Sequence, residues 1–332
     1  MSCQPFSLHD DITDVPGIKV GHAQDFDAGT GVTVILPPAD GARGGVHIGG
    51  SAPSTRQLDS LQPLHVVDRI HGVCLCGGSA FGLDAVGGVL AHLESQGCGF
   101  RVAGSTIPIV PSAAIFDLNL GNGSVRPNAA MGAEASRNAS SEAVEQGSVG
   151  AGAGASVGKL FGIEQAMKGG LGSASVRSGE IIVGALVVVN SYGDITDRNG
   201  NLLAGARVSP TSLELADAAY LLKEGKAESR KIPVEDTTLA VVAVNARLDK
   251  ITASRIAAQA TLGLERVIRP FHSHIDGDLT IVLSVGDRQA DPNRIALLAL
   301  DALQVSVIKA IQKADGLGVL PAWKDLGLSL DT

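Results

Sequence analysis

Aromatic residues are scarce in this sequence: one Trp, two Tyr and seven Phe make up 3% of 332 residues. Charge is thin as well. Asp, Glu, Lys and Arg together reach 18%, and a disordered chain needs the opposite balance, low hydrophobicity with high charge. The basic side is the thinner one, 26 Lys and Arg against 34 Asp and Glu, for a formal net charge of −8. The densest basic stretch, Lys223 to Lys231, is interleaved with Glu224 and Glu228. No phosphate-binding footprint results, and nucleic acid is not expected as a partner. Cysteine is limited to Cys3, Cys74, Cys76 and Cys98, at spacings that suit no disulfide framework. Reduced, buried thiols in a reducing compartment are the expectation. Cys74 and Cys76 would share one face of a strand, but no second cysteine pair completes a soft-metal site. No run approaches 18 consecutive apolar residues, so no membrane span is expected. The opening MSCQPFSLHDDITDVPG has neither the basic nor the apolar region of a secretory signal. A cytoplasmic location follows as an expectation.

What is present is glycine, 42 residues, and small or aliphatic side chains, with AVILMFWYC at 45%. That mixture fits an α/β protein whose backbones pack closely. Length alone suggests about two domains. Thr30 to Leu36 reads as a strand closed by Pro37-Pro38. Gly44-Gly45 and Gly49-Gly50 bracket another short strand, followed by a loop over Ala52 to Arg56. An apolar strand over Ile70 to Cys76 runs through Gly77-Gly78-Ser79 into a helix over Ala80 to Gln96, stopped by Gly97. Gly82, Gly87 and Gly88 in that helix imply close backbone approach. Ile181 to Asn190 is the most apolar strand, of the kind buried on both faces. Leu213 to Leu222 has a helical pattern with Ser212 as its cap. Helices over Ile251 to Gly263 and from Asp291-Pro292 to about Lys313 flank a strand over Leu279 to Val285. A layered, sheet-containing fold is implied.

The run Val149 to Gly158 (VGAGAGASVG) invites a phosphate-loop reading. That motif fails twice, at Ala153 and at Leu160.

Three places carry candidate chemistry. Lys223 to Asp236 is a solvated linker, eight of its fourteen residues charged. It meets the apolar strand Thr237 to Asn245 without a turn. A threonine released at such a junction could attack with its hydroxyl while its own α-amine takes the proton. An α-amine has a pKa near ~7.7–8.0, close to working pH; the plain alternative is a strand that starts with two β-formers. Next, His272, His274, Asp276 and Asp278 alternate, and if extended all four share one face. They could form a metal site, a carboxylate pair orienting an ammonium or hydroxyl, or a polar loop turning at Asp276-Gly277. Last, Asn190 ends a buried strand and needs partners, either a developing oxyanion or the turn before Gly193.

Eight blocks in one order extend this reading: ITDVPGIKVGHA (Ile12 to Ala23), GGSAFGLDA (Gly77 to Ala85), IPIVPSAAIFDL (Ile107 to Leu118), GAGASVGK (Gly152 to Lys159), VVVNSYGDI (Val187 to Ile195), LLAGAR (Leu202 to Arg207), TTLAVVAVNA (Thr237 to Ala246) and RPFHSHIDGD (Arg269 to Asp278). In these the chain resembles the L-aminopeptidase/D-esterases, β-peptidyl aminopeptidases and nylon-oligomer hydrolases. The resemblance implies an α+β fold, one αββα sandwich of the N-terminal-nucleophile type over residues 1–332, instead of two domains. It implies self-cleavage between Asp236 and Thr237 into an α chain, 1–236, and a β chain, 237–332. Thr237 would be the nucleophile, Asn190 the oxyanion donor, Asp276 and Asp278 the supports of the α-amine, and Lys159 a nearby cation. Phe116, Gly78 and Ser79 would border the substrate pocket. The substrate would be a small peptide or related amide, with no metal or organic cofactor, and the processed protomers would assemble as a homo-oligomer, a tetramer being suspected. Two departures stand out. Asp236 replaces the Asn or Gly common before the nucleophile, and Phe116 stands where some relatives carry a tyrosine, so it supplies no hydroxyl. The readings set against this are a metal-dependent hydrolase on His272, His274, Asp276 and Asp278, and a non-catalytic binding relative with the Asp236-Thr237 bond intact.

Overall fold

The structure, a computed structural model, describes residues 9–228 and 236–327. In chain order its two main sheets draw on β1 (Lys19–Asp25), β2 (Thr30–Leu36), β3 (Arg43–Ile48), β4 (Ser54–Arg56), β5 (Val73–Cys76) and β6 (Ser112–Ala114), then on β7 (Gly170–Ser178), β8 (Ile181–Asn190), β9 (Thr237–Ala246) and β10 (Leu279–Arg288). The first sheet has the order β1-β2-β5-β6-β4 and the second β7-β8-β9-β10-β3. Four long helices cover them: α1 (Val86–Ser95), α2 (Ala129–Arg137), α3 (Lys250–Glu265) and α4 (Pro292–Gln312).

Alternation along the strands builds the layers. Odd positions of β8, Val183, Ala185, Val187 and Val189, pack with Ile256, Ala260, Leu303 and Val307 of α3 and α4. Even positions, Ile182, Leu186 and Val188, turn the other way and meet Val20, Ile35 and Leu75 of the first sheet. That sheet's outer face, with Val32, Val34, Cys74 and Cys76, receives Val86, Val89 and Leu93 of α1 and Ala135 of α2. The result is a four-layer αββα sandwich. β8 is apolar at every position before Asn190 because both its faces are covered.

The helix predicted over Ala80 to Gln96 is present as Ser79–Gly82, a 3₁₀ turn Leu83–Ala85 and α1, ended by Gly97 at φ +68°. Close approach explains two of its three glycines. A Cβ on Gly82 would lie 1.8 Å from the Gly77 carbonyl, and one on Gly88 would lie 1.8 Å from the Ala129 carbonyl, whereas Gly87 has room. α4 begins at Asp291, which accepts from Asn293 N–H, with Pro292 following. It is long and apolar enough to cross a membrane by length and composition, but here Ile295, Leu303, Val307 and Ile311 belong to the core that includes β8.

Three expectations need correction. The loop read over Ala52 to Arg56 ends in a strand, β4, paired with β6. The helix read over Leu213 to Leu222 is confined to Ala218–Lys223 and capped by Asp217, not Ser212. The preceding N–H groups have tertiary partners: Ala216 N–H bonds the Ala206 carbonyl and Ala218 N–H bonds the buried Asp194 carboxylate at 2.6 Å. The linker read as solvated through Asp236 lies partly, at 229–235, outside the described residues, and its last residue is not solvated. Asp236 is 3% exposed.

Cys74 and Cys76 are buried free thiols on one face. Burial pushes the Cys74 thiol up to about 12, which leaves it unreactive.

Candidate active site

Strand polarity assembles the site. β8 runs antiparallel to β9, so the last residue of one, Asn190, is the register partner of the first residue of the other, Thr237. β9 and β10 run parallel, Leu239 opposite Leu279, so the residues before both strands also meet. Asp236 and Asp276 form a parallel bridge there. α3 supplies the crossover that parallel neighbours require. On the far side of β10, β3 pairs antiparallel, Ile48 opposite Leu279. The chain after β3 then closes over the approach to β10: Gly49 and Gly50 N–H bond the Asp278 carbonyl, and Ala52 N–H bonds the Asp276 carbonyl.

At the centre, the Thr237 hydroxyl donates to the Asp236 carbonyl oxygen at 2.5 Å. That oxygen also accepts from Gly277 N–H at 2.8 Å. The bond between Asp236 and Thr237 is therefore held with the hydroxyl on its carbonyl and a backbone donor on the same oxygen. Lys159, 4% exposed, lies 2.8 Å from Asp236 Oδ1. Its Nζ also donates to Asn190 Oδ1 at 2.9 Å. Asn190 Oδ1 accepts in addition from Ser156 N–H at 3.0 Å, and Asn190 Nδ2 donates to the Phe116 carbonyl at 3.2 Å. The Asn190 amide thus meets Ser156, Lys159 and Phe116 at the end of β8.

The two carboxylates differ. Asp278 Oδ1 accepts from Thr238 N–H at 2.6 Å and its Oδ2 lies 3.0 Å from His272 Nδ1, so it fixes the start of β9 one residue after Thr237. Asp276 Oδ2 accepts from Ser273 N–H at 2.6 Å, while its Oδ1 is buried with no hydrogen-bond partner. Burial first, then the neighbouring carboxylates of Asp278 and Asp236, pushes the Asp276 carboxyl up to about 7. It can hold or release a proton near neutral pH.

Thr237, Asp236, Asn190, Lys159, Asp276 and Asp278, from four separate stretches of the chain, are thus brought into one buried cluster. Phe116 joins it through its backbone carbonyl. Gly78 and Ser79 reach it less directly: Gly78 N–H bonds Asp117, and Ser79 N–H bonds the Ile115 carbonyl, on either side of Phe116. The shared face expected for His272, His274, Asp276 and Asp278 does not exist. His272 takes a left-handed φ of +52°, the chain turns at 274–275, and His274 is exposed. Among the described residues no group of three His, Cys, Asp or Glu is placed to hold a metal ion.

Gly277 escaped the sequence reading. A Cβ there would stand 2.8 Å from Thr237 Oγ1 and 2.8 Å from the Ala52 carbonyl, so only glycine brings that N–H to the Asp236 carbonyl beside the hydroxyl. The available signal was a glycine between two aspartates, which resembles any Asp-Gly turn.

The four-layer αββα sandwich is the fold shared with solved Ntn-hydrolase-fold structures. Residues 10–321 match the model of peptidase family S58, and the chain belongs to that family of hydrolases. An uncharacterized aminopeptidase of Mycobacterium leprae is 36% identical, over 94% of this chain and 92% of its own. A 6-aminohexanoate-oligomer endohydrolase of Kocuria sp. is 31% identical, over 82% of this chain and 74% of its own. The structure of the L-aminopeptidase D-Ala-esterase/amidase of Ochrobactrum anthropi, described as a variant of the Ntn hydrolase fold, superposes with a TM-score of 0.69. It is 19% identical, with 98% of this chain and 94% of that one covered.

Proposed function

We propose that the chain cleaves itself between Asp236 and Thr237, and that Thr237, freed as an N-terminus, then hydrolyses small peptides or related amides. The observation that carries this reading is the Thr237 hydroxyl held 2.5 Å from the Asp236 carbonyl oxygen, with Gly277 N–H on the same oxygen. In the first reaction Oγ1 bonds to the Asp236 carbonyl carbon as the C–N bond breaks. The hydroxyl proton ends on the Thr237 nitrogen, and water then hydrolyses the ester. The α-amine cannot be the base in this step because it is still acylated. Asp276, whose carboxyl titrates near neutrality in the same cluster, suits the role of proton shuttle.

In turnover the freed amine takes the proton from Oγ1, and Oγ1 bonds to the substrate carbonyl carbon as its C–N bond breaks. The same proton passes to the leaving amine, and water hydrolyses the acyl ester to release the acid and restore the hydroxyl. Gly277 N–H and the Asn190 amide are the oxyanion donors in this scheme. Relatives that carry the names aminopeptidase, uncharacterized in the Mycobacterium leprae case, and 6-aminohexanoate-oligomer endohydrolase support amides as the substrate class. Intact mass of the purified protein tests the proposal. A 96-residue fragment beginning at Thr237 is expected, along with a single uncleaved chain for Thr237→Ala. A fragment beginning at Thr238 would move the nucleophile. An intact chain after prolonged incubation would make this a non-cleaving relative.

A further inference from the structure

Self-cleavage and turnover share one nucleophile in the reading just given, on which this inference rests. The residue before Thr237 is then the first acyl group the site processes, and its position marks the acyl subsite. Asp236 holds its carbonyl against Thr237 Oγ1 and Gly277 N–H, while its side chain runs inward to Lys159 Nζ at 2.8 Å. Both side chains are at least 96% buried. Lys159 is also anchored to β8 independently of Asp236, through Asn190 Oδ1 at 2.9 Å and the Asn190 carbonyl at 3.4 Å. When the 236 end withdraws after cleavage, the ammonium stays in place. A buried cation deprived of its carboxylate is costly, and a carboxylate arriving at the same spacing restores the pair. Asp276, the acidic neighbour of that position, is the group whose carboxyl is pushed up to about 7. Near neutrality it can meet a second acid in its protonated form.

We infer that the acyl subsite of the mature enzyme recognises, through Lys159, a carboxylate two carbons beyond the attacked carbonyl. Its substrates are amides of a four-carbon diacid acyl group. Two sources share this chemistry: an α-linked aspartyl group, whose free amine replaces the chain before Asp236, and a succinyl group, which has no amine.

The test uses wild-type processed protein and p-nitroanilides of succinyl, α-L-aspartyl, L-alanyl and L-lysyl groups. The kcat/KM for at least one diacid anilide should exceed the alanyl and lysyl values by about 10-fold or more. Hydrolysis of the succinyl anilide identifies an enzyme that needs no free amine; preference for aspartyl alone identifies an aminopeptidase. In Lys159→Gln all rates fall, and the diacid-to-alanyl ratio should collapse towards unity. Processing gives a readout without added substrate: the Asp236→Lys precursor should mature at least about 10-fold more slowly than wild type. Alanyl or lysyl anilides cleaved as fast as the diacid ones, or Asp236→Lys maturing at the wild-type rate, would overturn the inference and leave the Thr237 mechanism standing. An uncleaved wild-type chain would instead remove the mechanism itself.

Discussion

Asn190 and Thr237 are cross-strand partners, the last residue of β8 directly opposite the first of β9. The Asn190 Oδ1 gathers Ser156 N–H and the Lys159 ammonium, and its Nδ2 donates to the Phe116 carbonyl; in the proposed mechanism this amide is an oxyanion donor. Asn190→Ala should therefore slow both self-cleavage and amide hydrolysis, by about 10²–10³ if Asn190 is an oxyanion donor. Cleavage time courses and kcat measure this. Unchanged rates would reduce Asn190 to a structural partner of Lys159.

Gly277 offers a sharper check on the geometry. Alanine there puts a methyl group 2.8 Å from Thr237 Oγ1 and from the Ala52 carbonyl. Gly277→Ala is expected to fold and to remain largely unprocessed, as seen by a single band on a denaturing gel with near-native circular dichroism. Normal cleavage would mean that the N–H of residue 277 is not needed on the scissile carbonyl.

If the proposed turnover holds, the base is the Thr237 α-amine, and the pH–rate profile of the processed enzyme should report it. An unperturbed α-amine titrates near ~7.7–8.0, and activity needs it neutral. The Asp276 carboxylate favours the ammonium, and the Lys159 cation disfavours it. The acid limb of kcat/KM should move to lower pH in Asp276→Asn and to higher pH in Lys159→Gln, although both variants lose rate. A limb that stays put in both would separate the titrating group from the Thr237 amine.

Stability should carry a pH signature of its own. Asp276, Asp194 and Asp117 are raised to about 7, about 7 and about 6, burial being the largest cause in each. Unfolded carboxyls release their protons near pH ~4. Between about 4 and 7 the folded chain thus holds protons that the unfolded chain has lost, and stability falls as pH rises through that window. Buried His22, lowered to about 4, opposes part of this trend below the ordinary imidazole value of ~6.5. Uncleaved Thr237→Ala should therefore show a melting temperature that declines from about pH 5 to about pH 7. Above that window Lys168, lowered to about 7 by burial, acts in the opposite sense. Adding Asp276→Asn should make the decline shallower without abolishing it, because Asp194 and Asp117 remain. An unchanged slope would mean that Asp276 is ionised across the whole range.

Gly88→Ala serves as a control remote from the chemistry. Its Cβ would meet the Ala129 carbonyl at 1.8 Å and Ala133 N at 2.6 Å, forcing α1 and α2 apart. A loss of about 1–3 kcal/mol is expected in denaturant unfolding, with normal self-cleavage at permissive temperature.

Local chemistry determined much of this protein in the sequence itself. Continuous apolar and β-branched runs set β2, β8 and β9, Asp291-Pro292 set the start of α4, and Gly97 set the end of α1, because each depends on backbone preferences and neighbours a few residues away. The block around Thr237 and the pair Asp276-Asp278 were legible too, through resemblance. Tertiary structure alone decided which groups meet. Asp236 sits in a charged stretch that reads as solvent-exposed, yet a bridge to Asp276 and the Lys159 ammonium bury it. The four alternating residues from His272 to Asp278 read as one face only if extended, and the turn at 274–275 separates them. Gly277 acquires its position from the parallel pairing of β9 with β10, a contact across some forty residues that no local pattern encodes. The N–H it presents to the Asp236 carbonyl exists only once the two strand beginnings lie side by side.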